Sequence, residues 1–162
     1  MSPNISPQSS QRGREMPLAE GRTKGMVYVA GPLFNAAERA AAEGVEAICR
    51  RAGFRTFLPH RDAGLLGQQG KTPAQVFRAD VAGLARADLV VAILNGPTVD
   101  TGTAWEIGYA FAKGKTVIGY LDDLRAHRGP DPVDLMISRS CNIARSTAEL
   151  RHMLRALRAV WC

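Results

Sequence analysis

The chain has 162 residues and is 46% hydrophobic, and its 21 Lys and Arg residues against 15 Asp and Glu residues give a formal net charge of +6. This length and composition predict one globular domain with a substantial core. They exclude a membrane-spanning helix, since no apolar run approaches the about 20 residues that one needs. The charge does not predict a nucleic-acid surface, because the basic residues form no block. Arg151, Arg155 and Arg158 recur at helical spacing and predict a solvent-facing side of a helix.

The first 24 residues are polar and rich in Ser, Pro, Gly and Arg, without the apolar core of a signal peptide. We expect a disordered tail over 1–24, a single domain over 25–162, and a cytoplasmic protein. The three cysteines, Cys49, Cys141 and Cys162, are far apart in sequence and predict neither a disulfide framework nor a zinc site.

Strand and helix patterns alternate along the rest of the chain. Asn35, Thr72 and Ser146 are predicted helix caps, and Gly53 is predicted to close the first helix. The elements are predicted, in chain order, as a strand over 26–30, a helix from 35 to about 51, a strand over 54–58, a loop over 60–72, a helix from 72 to about 87, a strand over 88–94, a loop over 95–100, a helix ending near 114, a strand over 116–121, a loop over 122–132, a short helix over 133–138, a strand over 142–144 and a final helix after 146.

This order predicts an α/β fold with a five-stranded parallel sheet and helices on both faces. In the first helix, Ala40, Val45 and Ile48 are among the positions expected to face inward, and Cys49 is expected in the core.

The most informative segment is 100–110, with the sequence DTGTAWEIGYA. It follows an apolar run over 89–94 that is typical of a buried parallel strand. It carries Glu106 where an amphipathic helix should begin, and residues at helical spacing, Ala104, Ile107, Ala110 and Phe111, are expected to pack inward. A carboxylate beyond the carboxyl end of a parallel strand lies where open α/β sheets bind their ligands. The segment therefore indicates an enzyme.

Four acidic residues are predicted near the same edge of the sheet, without Cys or His partners: Asp80, Asp100, Glu106 and Asp134. Such a group fits either a Mg²⁺ site or carboxylate chemistry at the anomeric carbon of a sugar. The common glycine-rich phosphate loops and the serine nucleophile elbow are not present. The scattered histidines, His60, His127 and His152, are expected to be loop or surface residues.

Several segments together resemble the nucleoside 2-deoxyribosyltransferase family. They are YVAGPLF over 28–34, Asp80 on a helix, DLVVA over 88–92, the block around Glu106, and DLMI over 134–137. The resemblance runs in order over about 26–145, and the block around Glu106 is its specific part. It implies a flavodoxin-like three-layer sandwich, which agrees with the predicted order of elements.

The resemblance also implies roles for particular residues. Glu106 matches the nucleophile that attacks C1′ of a 2′-deoxynucleoside, so that a covalent deoxyribosyl-enzyme forms and the configuration is retained. Tyr28 matches the tyrosine that orients the nucleophile, and Asp80 matches the acid/base that serves the nucleobase. Asp100 matches the aspartate that binds a sugar hydroxyl. Further substrate-binding positions are implied at Gly31, Phe34, Gly102, Asp134 and Met136.

No metal and no cofactor are implied for this chemistry. The implied partners are small-molecule deoxynucleosides and nucleobases, and the family implies a homo-oligomer of two or more subunits. Neither nucleic acid nor a membrane is implied as a partner.

Other functions remain open at the level of sequence. Relatives of this family hydrolyse 2′-deoxynucleoside 5′-monophosphates with water as the acceptor. Asp134 would repel such a phosphate but would accept a hydrogen bond from a free 5′-hydroxyl, which favours nucleosides. A nucleotide-sensing module on the same fold would not need a positioned nucleophile, so the set of Tyr28, Asp100 and Glu106 argues against it. A nucleic-acid-binding protein, the weakest alternative, would show steeply salt-dependent binding.

Overall fold

A computed structural model describes residues 25–65, 70–123 and 133–161 of the chain. These residues form the following elements in order: β1 (Met26–Ala30), α1 (Ala36–Arg51), β2 (Arg55–Phe57), α2 (Pro59–Asp62), α3 (Pro73–Arg86), β3 (Leu89–Ile93), α4 (Thr101–Ala112), β4 (Thr116–Tyr120), α5 (Leu135–Ser140), β5 (Asn142–Ala144) and α6 (Thr147–Val160). The predicted tail over 1–24, most of the predicted loop over 122–132, and Cys162 lie outside the described residues. Across the described ranges, no helix combines the length and apolar character that crossing a membrane requires.

The five strands form one parallel sheet in the order β2-β1-β3-β4-β5. This order defines the flavodoxin-like doubly wound fold. The predicted α/β architecture with a five-stranded parallel sheet is confirmed. Because the direction of winding changes between β1 and β3, a crevice forms beyond the carboxyl ends of these two strands.

Two apolar layers cover the sheet, one on each face. Helices α1 and α6 supply the first, together with Val27 and Val29 of β1. Helices α3, α4 and α5 supply the second, together with Tyr28 and Ala30 of the same strand. Successive side chains of a strand point to opposite faces, so Tyr28 points toward the layer that contains α3 and α4. The strand is buried on both faces, which explains its continuous apolar sequence.

The predicted helix starts are confirmed by their caps. Asn35 with Glu38, and Thr72 with Gln75, form complete capping boxes at α1 and α3. Ser146 accepts a hydrogen bond from the backbone N–H of Glu149 at the start of α6.

One predicted loop contains a helix. The short α2 occupies the beginning of the segment predicted as a loop over 60–72. Pro59 starts this helix, and the carboxylate of Asp62 accepts a hydrogen bond from the backbone N–H of Leu58 at 2.8 Å. A single turn of helix is too short to give an apolar period, so the sequence pattern did not indicate it.

Three side chains lie elsewhere than predicted. Ala40 is exposed, because the buried side of α1 passes through Ala42 and Cys49 instead. Phe111 is 58% exposed, because the buried side of α4 ends at Ala110. Arg158 is not on the solvent-facing side of α6. Its guanidinium carbon lies 5.6 Å from the ring centroid of Phe54, in a cation–π contact.

Candidate active site

A cavity of about 520 Å³ lies at the carboxyl edge of the sheet. Its walls come from segments that follow three neighbouring strands: residues 31–34 after β1, Pro59 and His60 after β2, and Asp100 after β3. Helices of both layers complete it, since α1 contributes Arg39 and α4 contributes Glu106. The volume is within the range of small-molecule sites, and the position is that of the predicted crevice.

The hydroxyl of Tyr28 donates a hydrogen bond to Oε1 of Glu106 at 2.5 Å. Tyr28 is fully buried in β1, and its ring stacks on Phe57 with the centroids 5.3 Å apart. Glu106 is on α4 next to Ile107, which is buried against the sheet. The rigid strand and the packed helix therefore fix both partners of this hydrogen bond.

Burial raises the pKa of Glu106 to about 7. The hydrogen bond from Tyr28 opposes this rise in the pKa, and the negative charges of Asp80 and Asp100 add to it. Burial and the neighbouring Glu106 raise the pKa of Tyr28 well above its ordinary value, so Tyr28 stays protonated as a donor. Near neutral pH, Glu106 thus exchanges between a carboxylic acid and a carboxylate.

Asp80 lies on α3 and lines the same cavity. Its Oδ1 is buried and has no hydrogen-bond partner in the described part of the chain, and burial raises the pKa of Asp80 to about 6. Gly83, three residues later, lets α3 approach the sheet closely, because a Cβ at this position would lie 2.7 Å from the ring of Phe57. This close approach places Asp80 beside the buried pair of Tyr28 and Glu106.

Asp100 is the N-cap residue of α4. Its Oδ2 accepts hydrogen bonds from the backbone N–H of Thr103 at 2.9 Å and from the hydroxyl of Thr103 at 3.1 Å. Both bonds involve the same oxygen, and the residue lines the cavity. The cap therefore holds Oδ2 of Asp100, while Oδ1 takes part in neither of these two bonds.

A second cavity of about 260 Å³ lies between α3 and α4. It shares Asp80, Gly102 and Glu106 with the first, and Phe77 and Trp105 form part of its wall. The rings of Phe77 and Trp105 have centroids 6.1 Å apart. Asp80 and Glu106 therefore border both cavities. The larger cavity is lined by polar and apolar residues, and the smaller one has two aromatic side chains in its wall.

The structure gathers most of the predicted site residues. Those that line the first cavity are Gly31, Phe34, Asp80, Asp100, Gly102 and Glu106, and Tyr28 lies against Glu106. Phe34 is 80% exposed. Asp134 and Met136 line neither of these two cavities, since Asp134 caps α5 by accepting from the backbone N–H of Met136 at 2.8 Å. Their part in substrate binding stays a prediction.

Two ionisable residues that line the cavity were not predicted as site residues. They are Arg39, which belongs to none of the sequence motifs, and His60, which was expected on a loop or the surface. The His60 side chain is only 10% exposed, and its Nε2 lies 3.1 Å from Oε1 of Glu43. Its position directly after β2 and Pro59 is the signal that would have placed it at the carboxyl edge. No group of His, Cys, Asp and Glu within the described ranges is suited to hold a metal ion.

The sequence matches the model of a known protein family. The model of the family described as nucleoside 2-deoxyribosyltransferase matches residues 27–151. This is well over half of the chain, and the chain belongs to this family. The matched range contains Tyr28, Asp80, Asp100 and Glu106.

Similar solved structures agree with this membership. A conserved protein of Enterococcus faecalis V583 superposes with a TM-score of 0.70 at 25% identity, over 83% of this chain and 99% of that one. A 2-deoxyribosyltransferase of Bacillus psychrosaccharolyticus superposes with a TM-score of 0.66 at 25% identity, over 80% of this chain and 96% of that one.

A similar curated protein carries a different activity in its name. The protein comes from Thermofilum pendens and is named as a 2′-deoxynucleoside 5′-phosphate N-hydrolase. It is 32% identical to this chain over 96 residues. The match covers 57% of this chain and 64% of that protein, so the chain matches slightly less than two thirds of the relative's length.

Proposed function

We propose that this chain transfers 2-deoxyribose between nucleobases through a covalent deoxyribosyl intermediate on Glu106, with retention at C1′. The observation that carries the proposal is the buried pair of Glu106 and Tyr28 at a cavity that Asp80 and Asp100 also line. Substitution at an anomeric carbon uses one carboxylate as the nucleophile and a second carboxyl group of raised pKa as the acid. Glu106, held by the Tyr28 hydroxyl, and Asp80 fit these two roles. Membership of the family supports the same chemistry.

The proposed reaction has two displacements. In the first, an oxygen of Glu106 bonds to C1′ as the bond from C1′ to the base nitrogen breaks, and Asp80 gives its proton to the departing base. In the second, a nitrogen of another base attacks C1′, the bond to Glu106 breaks, and Asp80 takes back a proton. Each displacement inverts C1′, so the product retains the starting configuration. The covalent intermediate replaces one difficult step with two easier ones.

The remaining residues are proposed to hold the substrate. Oδ2 of Asp100 is engaged by Thr103, so Oδ1 is the oxygen that would accept a hydrogen bond from a sugar hydroxyl. Gly31 and Gly102 bring the backbone to the cavity wall, and Phe34 would bound the base. Asp134 and Met136 on α5 are proposed as further contacts to the substrate.

Hydrolysis is the second candidate, with water in place of the acceptor base. The similarity to the Thermofilum pendens protein favours it. A 5′-phosphate, however, would enter a cavity to which Asp80, Asp100 and Glu106 contribute carboxyl groups. Like charges at close range are costly when they are partly desolvated, so we expect nucleosides to be better substrates than their 5′-monophosphates for either reaction.

An HPLC assay tests the proposal. Each of the four common 2′-deoxynucleosides would be incubated with and without adenine or cytosine as acceptor. A new nucleoside that appears only when the acceptor is present is the expected result, and release of free base alone would replace transferase by hydrolase. The 5′-monophosphates would be run in parallel. If neither nucleosides nor nucleotides were consumed, the catalytic proposal would be wrong.

Replacing Tyr28 by Phe should lower activity near neutral pH by roughly 10- to 100-fold, and raising the pH should restore part of it. The hydroxyl of Tyr28 holds the pKa of Glu106 down, so its removal raises the pKa of Glu106 above about 7 and leaves more of the nucleophile protonated. The activity of the variant relative to the parent should therefore be lowest at acidic pH and should increase as the pH rises. The ring of Phe preserves the stacking on Phe57.

Tyr109→Phe is a matched control for this variant, because Tyr109 is on α4 and lines neither cavity. Its pH profile should coincide with that of the parent protein. If the ratio of variant to parent activity did not change with pH, the hydroxyl of Tyr28 would not tune the nucleophile.

A further inference from the structure

The order of the basic residues in the sequence predicts no nucleic-acid surface, but the fold brings several of them to one edge of the sheet. A helix that joins two parallel strands returns the chain to the edge where the next strand begins. The ends of these helices therefore lie opposite the cavity, at what we call the amino edge. Six cations lie within two turns of helix ends at this edge: Arg50, Arg51, Arg86, Lys113, Arg155 and Arg158.

On one face of the sheet, the end of α6 packs beside the junction of α1 and β2. The guanidinium carbon of Arg158 lies 5.6 Å from the ring centroid of Phe54, and a Cβ at Gly53 would lie 3.5 Å from Nε of Arg158. Arg51 is the last residue of α1, and Arg155 lies one turn before Arg158 on α6. Both side chains are exposed. These cations therefore form one cluster around the start of β2.

On the other face of the sheet, the end of α3 packs beside the start of β4. Nζ of Lys115, directly before β4, donates hydrogen bonds to the carbonyls of Ala85 at 2.9 Å and Ala87 at 2.6 Å. Arg86 lies between these two alanines and is exposed, as is Lys113 at the end of α4. A second cluster of cations therefore lies at the same edge, in the layer that α3 and α4 form.

The positive charge of the amino edge exceeds what the helix dipoles balance. Each helix end carries about half a negative charge, so the ends of α1, α3, α4 and α6 contribute about two negative charges. The one carboxylate at this edge within the described ranges is Asp88, directly before β3, and it accepts a hydrogen bond from the backbone N–H of Met26 at 2.9 Å. The six cations therefore leave an excess of roughly three positive charges.

The two edges of the sheet carry charges of opposite sign. Asp80, Asp100 and Glu106 line the cavity at the carboxyl edge, whereas the cations of the two clusters line neither cavity. A long anion is attracted to the amino edge and repelled from the carboxyl edge. A partner held at the amino edge would therefore leave the cavity open to its substrate.

The arrangement of the cations fits a long anion rather than a small one. They are spread over both layers of the fold and do not converge on a pocket, so they can contact several phosphates along a chain. Five of the six are arginines, and a guanidinium donates two parallel hydrogen bonds to one phosphate.

Duplex nucleic acid matches this surface better than a single strand or a lipid surface does. Single strands are bound on free aromatic rings, and the rings of Phe54 and Trp161 at this edge pack against each other, with centroids 5.9 Å apart. A helix that lies on a membrane inserts an apolar side, but the apolar side of α6 is packed in the core through Leu150 and Leu154.

We propose that the amino edge binds the phosphate backbone of duplex nucleic acid, independently of base sequence. Fluorescence anisotropy of a labelled DNA duplex of mixed sequence, titrated with the full chain, tests this. Binding in roughly the micromolar range is expected at about 50 mM salt. The logarithm of Kd should rise with the logarithm of the salt concentration, with a slope of roughly three to four, because each neutralised phosphate contributes about 0.9.

The double variant Arg51→Gln/Arg155→Gln removes two exposed cations of the first cluster. It should weaken binding by roughly tenfold and lower the salt slope by nearly two, since about one unit is lost with each phosphate contact. Arg78→Gln/Arg139→Gln is the matched control, because it removes the same charge from exposed positions on α3 and α5 away from the helix ends that form the two clusters. The control should bind within roughly twofold of the parent. Thermal unfolding checks that both double variants are folded.

Several results would overturn the inference. Equal losses in the two double variants would mean that overall charge, rather than the amino edge, attracts the duplex. Displacement of the duplex by a deoxynucleoside would place the binding at the cavity. Tighter binding to vesicles that contain phosphatidylserine than to the duplex would identify a lipid surface as the partner, and failure of the parent protein to bind the duplex at low salt would leave no interaction to explain. Failure of the enzyme assay would overturn the proposed function alone, since the two edges are tested separately.

Discussion

Replacing Glu106 by Gln should abolish deoxyribosyl transfer and, at the same time, make the folded protein more stable at alkaline pH. Gln has nearly the same shape but cannot form the glycosyl ester, so kcat should fall by at least about 10³-fold. Intact mass spectrometry of the parent protein, quenched during turnover, should show the added mass of one deoxyribosyl group. The Gln variant should not show it.

The gain in stability follows from the raised pKa of Glu106. The pKa is about 7 in the folded protein against 4.5 for an ordinary glutamate, so ionisation of the buried side chain opposes folding. This penalty is absent below about pH 4.5, grows as the pH rises toward 7, and is complete above it. Glu106→Gln should therefore raise the free energy of unfolding by about 1 to 3 kcal/mol at about pH 8.

Thermal unfolding of both proteins at acidic and alkaline pH measures this effect. The advantage of the Gln variant should shrink as the pH falls toward that of an ordinary carboxyl group. An inactive variant that is destabilised at every pH would point to a packing defect rather than to a missing nucleophile. A variant that keeps substantial transfer activity would remove Glu106 from the proposed role.

The architecture was predictable from sequence because it rests on local patterns. The strand predicted over 89–94 is indicated by its continuous apolar run. The helix starts at Asn35 and Thr72 are indicated by side chains that form local capping hydrogen bonds. The position of Glu106 beyond a buried parallel strand likewise indicated a site, since such sheets bind ligands at that edge.

Other features depend on contacts between segments that are distant in sequence. Nothing near Arg39 in the sequence shows that α1 and α4 line the same cavity. The pairing of His60 with Glu43 likewise joins residues of two different helices. The raised pKa of Asp80 depends on the close approach that Gly83 allows α3 to make to the sheet. The sequence identified acidic residues, and the fold determines which of them lie together.

Asp80→Asn should lower the rate with ordinary deoxynucleosides by roughly 10²- to 10⁴-fold, because Asn can neither give a proton to the departing base nor take one back. In the parent protein, transfer needs Glu106 ionised and Asp80 protonated. With pKa values of about 7 and about 6, activity should pass through a maximum between these values. The two carboxyl groups interact, so the limbs of the profile belong to the pair rather than to either residue.

The variant should lose the alkaline limb of this profile, since that limb reports deprotonation of the acid. A deoxynucleoside of an N7-methylated purine gives a sharper comparison, because its base leaves as a neutral molecule and needs no proton. Asp80→Asn should use this substrate at a rate within roughly tenfold of the parent. Asp122→Asn, which alters an exposed carboxylate that lines neither cavity, should leave both profiles unchanged. If Asp80→Asn were equally slow with both kinds of substrate, Asp80 would hold or position the substrate rather than transfer the proton. The general acid would then be another group of the cavity, and His60 is the candidate because histidine commonly transfers protons near neutral pH.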